Sequence, residues 1–384
     1  LIYFSQAMPQ SPVELLQHLI RIPSVNPDDK SGFTGGGELA LAQSLAQWLE
    51  GPNCEIFLDE VKPGRPNLIA RFAPMDGRPR ILLGPHLDTV GVANMTIDPF
   101  SAEIRDGKIW GRGASDTKGP MAAMLWALRE NAHLLRDMPV AVDFVAFMAE
   151  ESGQWGSKHF AEHHGHHYAF AVIGEPTSLD IVYTTKGSLW ATLEARGKAA
   201  HSSMPEKGEN AVMKLARALG SLEKYLQLRL QAYEHPVLGH STVNIGTFQG
   251  GTRANIVPDF AQAQLDIRIT PQLSQQGGAL LLLENAIREM ALPLQIVNAH
   301  ENPPMDTTLD HPVLQLLQLS REGTRTVGAP WFSDAAHLSR AGIPSICIGP
   351  GSIDQAHTED EFIKIDDLLA GVEHFSRFIS NLAR

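Results

Sequence analysis

Short, almost wholly apolar runs alternate with amphipathic helical segments through the first half of the chain, and few folds accept that order. Residues 67–72, 80–84, 140–148 and 169–173 are such runs, bounded by turn residues, and read as strands. Residues 11–22, 37–50 and 117–131 place apolar side chains at helical spacing. Ser11 caps the first helix, Pro12 suits its first turn, and Pro23 ends it. Strands this apolar are buried on both faces. A largely parallel α/β sheet sandwiched by helices is the architecture that buries them.

The period changes near residue 183. Residues 183–196 alternate as a half-exposed strand, 210–226 read as a helix, 241–249 and 261–270 as strands, 274–290 as a helix, and 294–298 as a strand. That β-α-β-β-α-β order predicts an α+β, ferredoxin-like open-faced sandwich: an antiparallel sheet with helices on one face. After Pro303-Pro304 the first style resumes. Helices are expected near 312–321 and 334–341, a buried strand at 343–348 and a final helix at 366–382. The predicted organisation is an α/β domain over 9–181 and 300–384, interrupted by an inserted domain over 182–299.

Composition narrows the function classes. With 31 Lys and Arg against 43 Asp and Glu, the net charge of −12 disfavours a polyanion-binding face, so nucleic acid is not an expected partner. An anionic membrane surface is disfavoured for the same reason. The longest apolar stretch, 138–149, is broken by Asp143 and cannot span a bilayer. Two cysteines, Cys54 and Cys347, provide neither a disulfide framework nor a cysteine zinc ribbon. Residues 1–8 lack the features of a secretory signal and read as a vector-derived cleavage remnant, with Met8 as a native start. A cytoplasmic location is expected.

Acids and histidines recur where the buried strands end, which is where open α/β sheets bind ligands. His86 follows the strand at 80–84, with Asp88 two residues on. Asp116 sits at a helix entrance within Gly111-Arg112-Gly113-Ala114-Ser115-Asp116. Glu150-Glu151 ends the strand at 140–148, Glu175 follows 169–173, and His357 lies in Gln355-Ala356-His357-Thr358. Any one of these alone is ordinary surface or capping chemistry. Together, buried carboxylates at strand ends need compensation by metal or hydrogen bonds. Two imidazoles and three carboxylates suit Zn²⁺ or a similar divalent ion, and a further acid is then free to move a proton.

These motifs, Gly84-Pro85-His86-Leu87-Asp88, Gly111-Arg112-Gly113 through Asp116 to Gly119, Glu150-Glu151, Gly174-Glu175-Pro176 and Ala356-His357-Thr358, resemble those of a zinc-dependent exopeptidase and deacylase family. It includes acetylornithine deacetylase, succinyl-diaminopimelate desuccinylase, carboxypeptidase G and aminoacylase. The resemblance runs from about residue 11 to the end. It implies a catalytic α/β domain with an inserted lid that forms a homodimer, and a cis peptide at Asp116–Thr117. It implies two divalent ions, Zn²⁺ first and Co²⁺ or Mn²⁺ after it. Asp116 would bridge them, with His86 and Glu151 completing one set and Glu175 and His357 the other. Glu150 would be the general base and Asp88 the orienter of His86.

In the inserted domain, Gly197-Lys198-Ala199-Ala200-His201 matches the family's lid histidine, which implies that His201 stabilises the oxyanion in the partner subunit's site. Gly250-Gly251-Thr252-Arg253-Ala254-Asn255 makes Asn255 a substrate contact. Arg268 matches a lid arginine, either holding a substrate carboxylate or forming a salt bridge across the sheet. The stretch 348–357, with Asp360-Glu361-Phe362, most resembles acetylornithine deacetylase. That likeness implies amide hydrolysis of N-acyl amino acids or short peptides and a place in arginine biosynthesis. A desuccinylase, a carboxypeptidase or dipeptidase, and a catalytically silent binding protein are the alternatives. The tract His159, His163, His164, His166 and His167 reads as a solvated helix end, and Cys347 as a buried structural thiol.

Overall fold

The strand Arg80–Gly84 is buried throughout and lies between Ala141–Ala146 and Phe170–Ile173, parallel to both. In this computed structural model, which describes residues 9–29, 37–51 and 53–384, Ser345–Cys347 continues the parallel set beside Phe170–Ile173. The flanks are antiparallel. Arg65–Arg71 pairs with Ala141–Ala146, Glu55–Lys62 pairs with Arg65–Arg71, and Val182 of the strand Ile181–Thr185 opposes Cys347. Ile81 and Leu83 share one apolar cluster with Leu15, Leu41, Met121 and Phe375. Leu82 between them points the other way and is equally buried, so helices cover both faces.

Pro12–Ile20 forms as its caps predict: Ser11 accepts the Glu14 N–H at 3.1 Å. Lys118–Glu130 packs under the closing helix Ile365–Leu382, which buries Leu368, Phe375, Phe378 and Ile379. Asp143, the break in the apolar run, is fully buried in a two-point pair with Arg80 on the neighbouring strand, at 2.7 and 2.8 Å. Tyr168 also donates to it at 2.9 Å.

The chain divides into two compact units. The first holds residues up to Tyr183, Thr307–Val327 and Ser333–Arg384; the second holds Thr184–Asp306 and Gly328–Phe332. The second unit's sheet runs in the order Thr242–Gly250, Phe260–Ile269, Gly187–Arg196, Gln295–Asn302, antiparallel throughout. Ala211–Leu230 and Gly278–Glu289 pack on one face, where Leu215, Leu222 and Leu283 meet Leu189, Leu193 and Ile267. That is the ferredoxin-like open-faced sandwich.

The structure revises several elements. The strand Glu55–Lys62 has no counterpart in the sequence reading, whereas the helix Trp155–His163 ends in the histidine tract read as a helix end. The former, Glu-Ile-Phe-Leu-Asp-Glu-Val-Lys, is an exposed edge strand whose charges obscure its alternation. The span 183–196 is two strands, broken at Lys186. Gly187 is needed there because a Cβ would lie 2.3 Å from the Asn302 carbonyl oxygen. The helix expected at 274–290 breaks at Gly277, whose φ of 100° leaves the helical region. The supposed cleavage remnant at 1–8, and most of the glycine-rich turn before Glu38–Leu49, lie outside the described residues.

Candidate metal centre

Three strands of the parallel set, Arg80–Gly84, Ala141–Ala146 and Phe170–Ile173, are each followed within a few residues by a histidine or an acid. His86 leaves Arg80–Gly84 with its Nδ1 bonded to the Asp88 main-chain carbonyl at 2.8 Å. Its Nε2 lies 3.0 Å from Asp116 Oδ1. Asp116 precedes Lys118–Glu130, and its peptide bond to Thr117 is cis. On its other oxygen, His357 Nε2 approaches Asp116 Oδ2 to 3.4 Å and Glu151 Oε2 to 3.0 Å. Donor atoms of His86, Asp116 and Glu151 all lie within 4.8 Å of one another. Glu175 follows Phe170–Ile173 and is buried, with Oε1 making no hydrogen bond among the described residues. His357 therefore lies beside Glu151, and the two imidazoles approach opposite oxygens of Asp116.

The electrostatics fit a divalent ion. Burial pushes the Glu150, Glu151 and Glu175 carboxyls up, and neighbouring carboxylates add to it. Burial acts the same way on Asp116, but His357 and His86 outweigh it and hold that carboxyl well below its usual range. His357 is raised to about 10 by Asp116 and Glu151. An orphaned carboxylate oxygen, two imidazoles facing one aspartate and a third carboxylate in reach form the N/O donor set that hard-to-borderline dications take.

Asp88 meets His86 through its main-chain carbonyl, not its side chain. Its carboxylate is 3.6 Å from His86 Nδ1, too far for a hydrogen bond. It instead accepts the main-chain N–H of Glu150 at 3.0 Å, that of Glu151 at 3.1 Å, and Asn26 Nδ2 at 2.6 Å. Glu361, which the sequence reading used only as part of a likeness, is fully buried and accepts from Gly113, Ser115 and Asp116 N–H and from Arg112. Asp334, just before the helix Ala335–Arg340, is a second acid absent from the sequence-derived site. It makes no capping bond, is pushed up to about 7 chiefly by burial, and accepts from Ser157 at 2.5 Å.

In the second unit, His201 is exposed, with Nδ1 bonded to Ser203 Oγ at 2.7 Å. Its strand pairs His201 with Ile256, so Asn255 lies alongside; the Ser202 N–H bonds the Asn255 carbonyl at 3.1 Å. Arg268 makes a salt bridge to Asp266 at 3.1 Å on the same strand, and Trp190 donates to that carboxylate at 2.9 Å. In the histidine tract, His159 and His164 both turn Nε2 toward Asp59 Oδ2, at 3.3 and 3.1 Å. Cys347 is buried beside Ser333. No helix among the described residues is long and apolar enough to cross a membrane.

Residues 82–381 match the profile of peptidase family M20/M25/M40. The acetylornithine deacetylase of Proteus mirabilis (strain HI4320) is 31% identical over 385 residues, covering 96% of each chain. Among solved structures, an M20 family metallo-carboxypeptidase of Sulfolobus solfataricus superposes with a TM-score of 0.78 at 21% identity, covering 98% of this chain and 100% of its own. A Bacillus subtilis protein described as a dinuclear metal binding peptidase of the M20 family superposes with a TM-score of 0.68 at 17% identity, covering 97% of each chain.

Proposed function

This chain belongs to peptidase family M20/M25/M40 and is a metal-dependent hydrolase, and we propose that it cleaves the amide bond of N-acyl amino acids, acetylornithine foremost. The observation that carries the reading is the pair Glu150-Glu151. One acid meets His357, while the other is half-buried at the adjacent position, its carboxyl pushed up by desolvation. His86, Asp116, Glu151, Glu175 and His357 would hold two divalent ions between them. Zn²⁺ suits these donors best. When bound, the ions supply Lewis acidity at the scissile carbonyl and make water acidic enough to lose a proton near neutral pH.

The chain's own residues do the rest. Glu150 takes the proton of the attacking water and returns it to the leaving amine. Burial keeps its carboxyl pKa high, which suits a group that must hold that proton between the two steps. His201 donates to the developing oxyanion from the neighbouring subunit of a homodimer, and Asn255 beside it contacts the substrate. Arg268 already has one carboxylate partner in Asp266, so a substrate carboxylate would be its second.

The test is a hydrolysis assay with added Zn²⁺ or Co²⁺ against N-acetyl and N-succinyl amino acids and dipeptides. Turnover led by acetylornithine is expected. Preference for a succinylated substrate or a dipeptide would displace the assignment within the family, and no turnover of any would overturn it.

A further inference from the structure

Glu150 and Glu151 are adjacent in sequence, yet the proposed mechanism gives them different tasks. Their main chain must therefore be held in one conformation, and Ala149 before them already sits at a φ of 57°. The holding group is the Asp88 carboxylate, which takes one N–H from each. Asp88 is fixed in turn by Asn26, whose Nδ2 donates to Oδ2 at 2.6 Å.

The Asn26 side chain has no freedom of its own. Its Oδ1 accepts the Asp28 N–H at 2.8 Å and Arg65 Nη2 at 3.3 Å, and its main-chain N–H bonds the Thr89 carbonyl at 2.9 Å. Only one orientation of the amide satisfies this, with the donor toward the carboxylate and the acceptor toward the guanidinium. Arg65 is locked by Glu38, which is fully buried and accepts from Nε at 3.0 and 3.2 Å, and by Asp28 at 2.8 Å. The chain of contacts runs from the first turn of Glu38–Leu49 through Arg65, Asn26 and Asp88 to the two glutamates. None of Asn26, Arg65 and Glu38 is among the metal donors or the base.

We infer that Asn26, held by Arg65, is a positioning residue for hydrolysis: it fixes Asp88, and through Asp88 the main chain from which Glu150 and Glu151 extend. The inference rests on the roles proposed for those two glutamates. It does not rest on the identity of the acyl group. Outer groups of this kind typically change activity or metal affinity by ~10–100-fold when removed.

A double-mutant cycle separates positioning from mere stability. Asn26→Ala should lower kcat by about 10–100-fold with KM little changed. In a Glu150→Gln background the same change should cost less than about threefold, because residues acting as a unit are not additive. A second readout needs no substrate: in metal-free protein, the amide protons of Glu150 and Glu151 should exchange faster in Asn26→Ala than in wild type. Should Asn26→Ala fail to fold, Arg65→Lys, which shortens the reach to Asn26 Oδ1, is expected to give the same pattern at smaller size. Full multiplication of the two losses, or unchanged kcat and exchange in a folded variant, overturns the inference. If wild type hydrolyses no N-acyl amino acid while the two amides are deprotected in the variant, the functional proposal fails and the positioning contact stands.

Discussion

Glu361 accepts the main-chain N–H of Asp116 at 2.9 Å across 245 residues of sequence. The same buried carboxylate takes the N–H groups of Gly113 and Ser115 and the Arg112 guanidinium, so it holds the loop that presents Asp116. Removing one partner of a buried, hydrogen-bonded ion pair leaves an uncompensated charge and costs about 3–5 kcal/mol. Glu361→Ala should lower stability by that order in urea titrations, and should weaken divalent-ion binding measured by calorimetry. Wild-type values for both would show that the loop holds itself.

Glu150→Gln keeps the volume of the side chain and removes its basicity. The variant should bind metal in the wild-type ratio, measured by elemental analysis, and lose about 10²–10⁴ in kcat. Turnover near wild type in a metal-replete variant would remove Glu150 from the mechanism.

Metal removal has two expected effects. A chelator should abolish hydrolysis and leave Glu151 and Glu175 among like charges. Adding Zn²⁺ back at 100 times its dissociation constant should stabilise the fold by about 2.7 kcal/mol, read as a rise in Tm. A Tm independent of metal would mean that these side chains do not bind it in the folded state.

Much of this was legible because the strands of a parallel sheet declare themselves as apolar runs, and the chemistry follows them within a few residues. His86, Glu175 and Glu150-Glu151 could be found that way. The supporting groups could not. Asn26, Arg65, Glu38 and Glu361 reach the site from far away in sequence, and in isolation each is an ordinary polar residue. The edge strand Glu55–Lys62 was missed because one exposed face removes the apolar signal. The pairing of His357 with Glu151 depends on side-chain direction, which no spacing encodes.

A pH effect on stability is expected away from the centre. His374 is buried on Ile365–Leu382, with neither ring nitrogen hydrogen-bonded among the described residues. Burial, with Arg321 adding to it, lowers its pKa from 6.5 to about 4. Between those values the unfolded chain binds a proton that the folded chain refuses. Stability should therefore be full above about pH 6.5 and fall as pH drops toward 4. The loss is roughly 3 kcal/mol in total, at about 1.4 kcal/mol per pH unit. His374→Leu should flatten this component when urea unfolding is compared between pH 4.5 and 7.5; identical slopes would exclude it.

The assignment of His201 to a neighbouring subunit makes the strongest demand. Its side chain is exposed and bonded only to Ser203 among the described residues, so nothing in its own strand pair explains an imidazole there. An oxyanion donor must be supplied at the moment charge develops, and removing one typically costs ~10²–10³ in kcat. His201→Ala and Glu150→Gln should therefore each be nearly inactive as homodimers. Mixed under conditions that exchange subunits, they should regain activity, because in a mixed dimer one site receives both an intact Glu150 and the partner's intact histidine. The expected ceiling is one working site per mixed dimer, measured against a wild-type standard after confirming exchange with differently tagged subunits. If mixed dimers form and stay inactive, His201 does not act across an interface. If no dimer forms while wild type remains fully active, a single subunit completes its own site.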